Sequence, residues 1–153
     1  MTHSPKLPLG IWLIIGFLPL CIVIWIVGQG GAIVAYDTVA SWGFQEPRET
    51  VDPVVVEVNR GIAVGDVFIQ LPLFIVALVG LSRLRFFGAV AAWMSLGMHL
   101  YWTTVAWAKQ LCYVQAGVKA EPFSVGIHAV LAFFFLFSLW ACWFLFKNRA
   151  LTE

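Results

Sequence analysis

Four long apolar runs divide the chain, and short polar stretches separate them. The runs cover residues 9–27, 61–81, 86–108 and 122–146. A helix that crosses the hydrocarbon core of a bilayer needs about 20 mostly apolar residues, and each run is close to that length. The pattern therefore predicts an all-α integral membrane protein, with four transmembrane helices packed as a bundle in a single membrane domain, residues 1–153.

Composition supports the same class of protein. Hydrophobic residues make up 61% of the chain and charged residues only 11%, whereas a soluble domain has roughly 45–50% apolar and about 25% charged residues. There is no basic run of the kind that binds nucleic acid. The expected partners are the lipid bilayer, a hydrophobic small molecule or sterol, and a second copy of the chain in a homodimer. The membrane would be the endoplasmic reticulum in a eukaryote and the inner membrane in a bacterium.

The distribution of charge predicts the orientation of the bundle. In a four-span arrangement, one side of the membrane carries five basic residues and the other side carries most of the acidic ones. Cytoplasmic loops are enriched in lysine and arginine, so both termini are expected in the cytoplasm. Lys109 and Lys119 fall on the opposite side and weaken this signal. The five basic residues are Lys6, Arg83, Arg85, Lys147 and Arg149.

Polar side chains inside the apolar runs are the candidate functional residues. Asp66 and Gln70 lie four residues apart, as do His99 and Thr103, and residues four apart share one face of a helix. At about 1.5 Å per residue, Asp66 and His99 lie roughly 13 Å below the outer surface and His128 about 9 Å below it. Polar groups in hydrocarbon usually face the bundle interior. The spacing therefore predicts one polar pocket in the outer half of the bilayer.

Each of these residues also has a structural interpretation. Asp66 could be a buried acid that hydrogen-bonds to a neighbouring helix, Gln70 a polar contact between helices, and His99 a core histidine. His128 could be hydrated near the interface, and Trp102 could be ordinary packing. In the functional interpretation, Trp102 is part of the aromatic wall of the pocket.

A short motif in the second run carries a resemblance to a known family. Residues 65–74 read Gly-Asp-Val-Phe-Ile-Gln-Leu-Pro-Leu-Phe, and the third run has His99 followed by Thr103. This arrangement resembles the EXPERA family, in its sigma-2-receptor and emopamil-binding-protein branch. The resemblance implies a membrane bundle whose cavity binds sterols and lipophilic amines. It gives Asp66 the role of the pocket acid and Gln70 that of its partner, with His99 corresponding by position. The stretch 21–27 lacks the second acid of the family pattern.

Two forms of the leading hypothesis follow. In the first form, the pocket binds a sterol or lipophilic amine. In the second, it isomerises the molecule by proton transfer, with Asp66 and His99 as the catalytic pair, because hydrocarbon burial disfavours the charged form of a carboxyl group. No cofactor is expected. The expected ligand-binding residues are Asp66, Gln70, His99, Trp102, Thr103 and His128.

Two alternatives remain open at the level of sequence. One is a metal site with two histidines and a carboxylate, formed by Asp66, His99 and His128. The sequence offers no closely spaced metal motif in its support. The other is an accessory subunit of a larger membrane complex, without enzymatic activity.

Overall fold

A computed structural model describes residues 7–151, so Lys6 of the charge pattern lies outside the described residues. This part of the chain is helical and contains no strand. A 3-10 turn, Arg149–Leu151, follows the last helix. The helices are α1 Leu9–Val34, α2 Tyr36–Ser41, α3 Pro53–Leu81, α4 Phe86–Ala116 and α5 Val125–Lys147.

Three of these helices, α1, α3 and α5, are long and apolar enough to cross a membrane. The fourth long helix, α4, has 31 residues. Polar side chains such as Ser95, His99 and Thr103 lower its hydropathy, so α4 is not in that group. In the described part of the chain, α4 carries three of the buried polar residues and α3 carries three more, Asn59, Asp66 and Gln70.

The two central helices, α3 and α4, form an antiparallel pair joined by the tight turn at residues 82–85. Near this turn the helices cross at Gly80 and Gly88, where a Cβ atom on either residue would overlap the backbone of the other. This end is called the inner end, and the end that carries residues 42–52 the outer end. α1 packs against α3, and α5 packs mainly against α4.

Three of the four long helices, α1, α3 and α4, extend further at the outer end than the apolar runs predict, whereas α5 begins three residues later. α3 begins at Pro53, eight residues earlier than the predicted span, because the Asp52 side chain accepts a hydrogen bond from the backbone N–H of Val54 at 3.0 Å. Such a cap satisfies one of the unpaired N–H groups at a helix start. α4 continues to Ala116 and is followed by the capping residue Gly117, whose φ of +66° suits a residue without Cβ. Hydropathy marks only the apolar part of each helix, which explains the difference.

Two helices contain π-helical segments, and these segments contact each other. They are Trp25–Gly30 in α1 and Asp66–Gln70 in α3. In α3, Pro72 has no N–H to donate to the carbonyl of Phe68, and its ring crowds that carbonyl, so the preceding turn widens. π segments inside α-helices occur frequently at functional sites. The packed helices therefore contain two adjacent departures from regular α-helix.

Candidate functional site: a buried polar centre

Asp66 and Gln70 occupy the two ends of the π segment in α3, and both are buried. Asp66 is 6% exposed and Gln70 is fully buried. The side-chain N–H of Gln70 donates to the backbone carbonyl of Ser95 on α4 at 3.4 Å. Within residues 7–151, Oε1 of Gln70 and Oδ2 of Asp66 have no hydrogen-bond partner. Each residue thus presents an unpaired acceptor to the interior.

His99 lies fully buried in a cage of aromatic rings. The Phe134 ring stacks on the imidazole with a centroid distance of 5.1 Å, and the Trp25 ring meets it edge-on at 4.7 Å. Phe74 and Phe17 lie at 5.2 and 5.8 Å. Neither Nδ1 nor Nε2 of His99 has a hydrogen-bond partner among the described residues. The imidazole is held by packing alone, and both of its nitrogens remain available.

Trp25 is a member of the site that sequence reasoning missed. It begins the π segment of α1, it is 1% exposed, and its Nε1 has no partner in the described part of the chain. Its ring contacts His99, Phe74 and Trp102, with the Trp102 centroid at 5.3 Å. In the sequence Trp25 lies near the end of an apolar run, where tryptophan is common. The glycines that follow it at positions 28, 30 and 31 are the only local signal that the helix is irregular there.

Two hydrogen bonds between α3 and α4 set the register of the helix pair. Lys109 donates to the side-chain carbonyl of Asn59 at 2.6 Å toward the outer end, and Gln70 bonds to Ser95 deeper inside. Because the helices are antiparallel, these two contacts place Asp66 opposite the helical turn 99–103. No hydrogen bond joins Asp66 to His99. The expected acid and base thus share a level without direct pairing.

Trp25, Asp66, Gln70 and His99 are called the polar centre. Together they carry five buried polar atoms without a partner in residues 7–151. Each such atom costs about 1–3 kcal/mol relative to a paired one, so the centre lowers the stability of the fold. Buried polar groups in proteins are nearly always paired, and exceptions often coincide with functional sites. The arrangement is suited to a polar group that enters the aromatic cage.

Two of the predicted site residues are accounted for by other contacts. The Thr103 hydroxyl is buried but donates to its own helix, at the carbonyls of His99 (2.9 Å) and Leu100 (3.1 Å). Trp102 is half-buried and packs against Trp25, as part of the aromatic wall. Thr103 therefore lies beside the polar centre with its hydroxyl already in use.

His128, which was expected in this pocket, makes its contacts elsewhere in the structure. His128 is exposed, and its Nδ1 accepts a hydrogen bond from Nε1 of Trp107 at 3.1 Å. The Phe123 ring lies against it at 5.8 Å. The first residues of α5, 125–130, are all exposed, because this end of α5 packs little against the other helices. Depth along a helix gives no information on which way the outer end of α5 leans.

The alternative metal site is not assembled either. Within residues 7–151, no group of three or more histidine, cysteine, aspartate or glutamate residues is placed to hold a metal ion. His128 pairs with Trp107, so the set formed by Asp66, His99 and His128 lacks one of its members.

Two open cavities lie elsewhere on the molecule. A polar one of about 280 Å³ borders Tyr36, Arg48 and Arg60 at the outer end. An apolar groove of about 400 Å³ runs between the start of α4 and the end of α5. No residue of the polar centre lines either of these two cavities.

Comparison of the chain with protein-family models, with curated proteins and with solved structures finds no match.

Proposed function

We propose that the polar centre binds the polar end of a sterol or another lipophilic small molecule inside the membrane, as the resemblance to the EXPERA family implies. The observation that carries this proposal is the set of unpaired polar atoms on Trp25, Asp66, Gln70 and His99, of which Trp25 and His99 lie in the aromatic cage. A protein that needed only to fold would be more stable with apolar residues at these positions.

The hydrogen-bonding character of the centre favours particular ligand groups. Asp66 and Gln70 offer acceptors, and Trp25 offers a donor; neutral imidazole can do either. A hydroxyl group both donates and accepts, so it matches this set. An amine also fits, because an ionised Asp66 would pair with its ammonium and the rings of Trp25 and Trp102 would attract the cation. The proposed ligand is therefore apolar along most of its length and carries one hydroxyl or amine.

Isomerisation is the catalytic form of the same proposal. Moving a double bond by proton transfer requires one group to give a proton and another to take one. Asp66 and His99 are the two titratable groups of the centre, and they lie on facing turns of α3 and α4. Water exclusion by the aromatic cage would protect a carbocation formed on the ligand from hydration.

The proposed topology has four spans, with both termini in the cytoplasm. Its support is that α4 packs between α3 and α5, which are both apolar enough to span. The turn that joins α3 to α4 carries Arg83 and Arg85, and α5 ends at Lys147. A membrane-impermeant thiol reagent added to the outside of cells should label Cys112, which is exposed. It should fail to label a cysteine substituted for Ala150. The reverse pattern would contradict the proposed orientation.

A binding titration beside a melting curve tests the function. Asp66→Asn keeps the shape of the side chain but removes its ionisable proton. We expect the affinity for cholesterol, or for a lipophilic tertiary amine, to fall at least tenfold, which is about 1.4 kcal/mol. Thermal stability should stay unchanged or rise. Gln70→Ala should lose less affinity, because Gln70 carries no charge.

The matched control is Asp37→Asn, which removes a carboxylate that pairs with Arg48 on the exposed outer surface. This variant should bind as the parent does. If Asp66→Asn unfolds the protein while the surviving fraction binds normally, Asp66 is a structural acid and the proposal is wrong.

A further inference from the structure

Residues 42–52, between α2 and α3, form a segment that is tied by hydrogen bonds to α1 and to the loop after α4. The side-chain N–H of Gln45 donates to the carbonyl of Gly28 at 3.4 Å, and Gly28 belongs to the same π segment as Trp25. The backbone N–H of Asp52 donates to the carbonyl of Lys119 at 2.7 Å. The segment therefore lies over the outer ends of α1, α3 and α4, on the outer side of the polar centre.

One chain of side-chain contacts holds this segment to both central helices. Glu46 accepts a hydrogen bond from the amide N–H of Asn59 at 2.9 Å, and the carbonyl oxygen of the same amide accepts from Lys109 at 2.6 Å. Tyr36 adds a hydrogen bond from its hydroxyl to the backbone carbonyl of Glu46 at 3.0 Å. Glu46, Asn59 and Lys109 are called the clasp.

The clasp lies directly outward of Asp66 along one face of α3. Asn59, Ala63 and Asp66 are all buried on that face, and Ala63, which lies between the other two, is fully buried. Ala63 has a small side chain and packs in an apolar cluster that includes Ala32 and Val56. A molecule that passed the clasp would meet Ala63 and then the polar centre.

The charged residues of the clasp are arranged in a way that favours its opening over permanent closure. Glu46 and Lys109 carry opposite charges, yet the neutral amide of Asn59 stands between them and no ion pair joins them directly. Oε1 of Glu46 and the hydroxyl of Tyr113 are buried without a partner in the described residues. Burial lowers the pKa of Lys109, whereas the nearby Glu46 carboxylate raises it. Lifting the segment would break the Asn59–Glu46 hydrogen bond, with those that Tyr36 and Gln45 donate, and the exposed ion pairs of Arg48 with Asp37 and Glu57. It would let Glu46 and Tyr113 reach water.

We infer that segment 42–52 is a lid that separates the polar centre from the outer aqueous phase, and that the clasp of Glu46, Asn59 and Lys109 holds the lid closed. The inference adds to the proposed binding function a route by which water and the polar ends of ligands reach Asp66. Its test requires no ligand, so a failed binding titration and a failed lid experiment are distinguishable.

The test measures access to residue 63 in purified protein in lipid nanodiscs. Ala63→Cys is introduced after the three native cysteines have been replaced, Cys21 and Cys142 by alanine and Cys112 by serine. Two permanently charged methanethiosulfonates serve as probes, one with a trimethylammonium group and one with a sulfonate. The modification rate is compared with the clasp intact, with Glu46→Ala and with Glu49→Ala. Glu49 is an exposed acid of the same segment and serves as the matched control.

We expect slow modification with the clasp intact and with Glu49→Ala, and at least a tenfold increase with Glu46→Ala for both probes. An increase for the sulfonate probe alone would reflect the loss of a negative charge near residue 63 and would overturn the inference. So would equal rates in all three proteins, or fast modification with the clasp intact. If Glu46→Ala does not give monodisperse protein, the modification rate is measured with Glu46→Gln instead. This variant keeps an acceptor for Asn59, so a smaller increase for both probes supports the lid and an unchanged rate overturns it.

Discussion

The same two helices, α3 and α4, pack in opposite ways at their inner end and at the polar centre. At the inner end, Gly80 and Gly88 bring the two backbones into contact, and the residues around them are apolar. At the polar centre, α3 widens into a π segment, and the buried side chains of Asp66 and His99 keep polar atoms unpaired.

The difference indicates what each region contributes. The inner crossing follows the rule that small residues allow membrane helices to approach closely, so it holds the pair together. The polar centre breaks the rule that buried polar groups are paired, and natural proteins break such rules chiefly at functional sites. We therefore expect substitutions at the inner crossing to lower stability, and apolar substitutions at the polar centre to raise it.

The largest effect is expected at the inner crossing. Gly88→Val places side-chain atoms where the backbone of Gly80 lies. The two helices must separate, which should cost about 3 kcal/mol or more, at the upper end of the effects of overpacking. Thermal unfolding of the purified protein measures the loss. Normal stability of the Gly88→Val protein would show that α3 and α4 do not cross at this point.

A smaller effect of opposite sign is expected at the polar centre. His99→Phe keeps a ring inside the aromatic cage but removes two nitrogens that have no partner among the described residues. Replacing an unpaired polar group by an apolar group of similar shape should stabilise the fold by about 1 kcal/mol. Ligand binding should be lost in the same protein. A clear decrease in unfolding temperature would mean that the His99 nitrogens make stabilising contacts.

The smallest change in stability is expected for a control substitution on α4. Gly97 has open space where a Cβ would lie, in contrast to Gly88. Gly97→Ala should therefore stabilise the protein by about 0.5–1 kcal/mol, the usual difference between the two residues inside a helix. A loss of stability would show that α4 is packed on this face, and the comparison between the two glycines would fail.

The sequence was sufficient to predict the helical class, the approximate positions of the four long helices and the burial of Asp66, Gln70 and His99. These features depend on hydropathy and on spacing along one helix, which a sequence displays directly. Trp25 and His128 depend on how separate helices lean and rotate against each other. The aromatic cage was missed at Trp25 because a tryptophan in an apolar run is ordinary until its neighbours are known.

The π segments and the clasp were beyond sequence reasoning for a related reason. Pro72 predicts a disturbed turn before it, but the contact between that turn and the π segment of α1 exists only in the folded chain. Glu46, Asn59 and Lys109 are far apart in sequence, and each is an ordinary polar residue of an exposed end when considered alone. Only the fold shows that they meet over the buried face of α3.

The central claim is that the polar centre binds a ligand at the expense of stability. The most direct test is to extract the small molecules that co-purify with the protein and to identify them. Mass spectrometry of the extract from purified parent protein should detect one small lipophilic molecule with a hydroxyl or amine, at about one per chain. Asp66→Asn should retain less than a tenth of it, while its unfolding temperature stays the same or rises. If Asp66→Asn retained as much of this molecule as the parent protein, or if the Asp66→Asn protein unfolded, the account would be contradicted and Asp66 would be a structural residue.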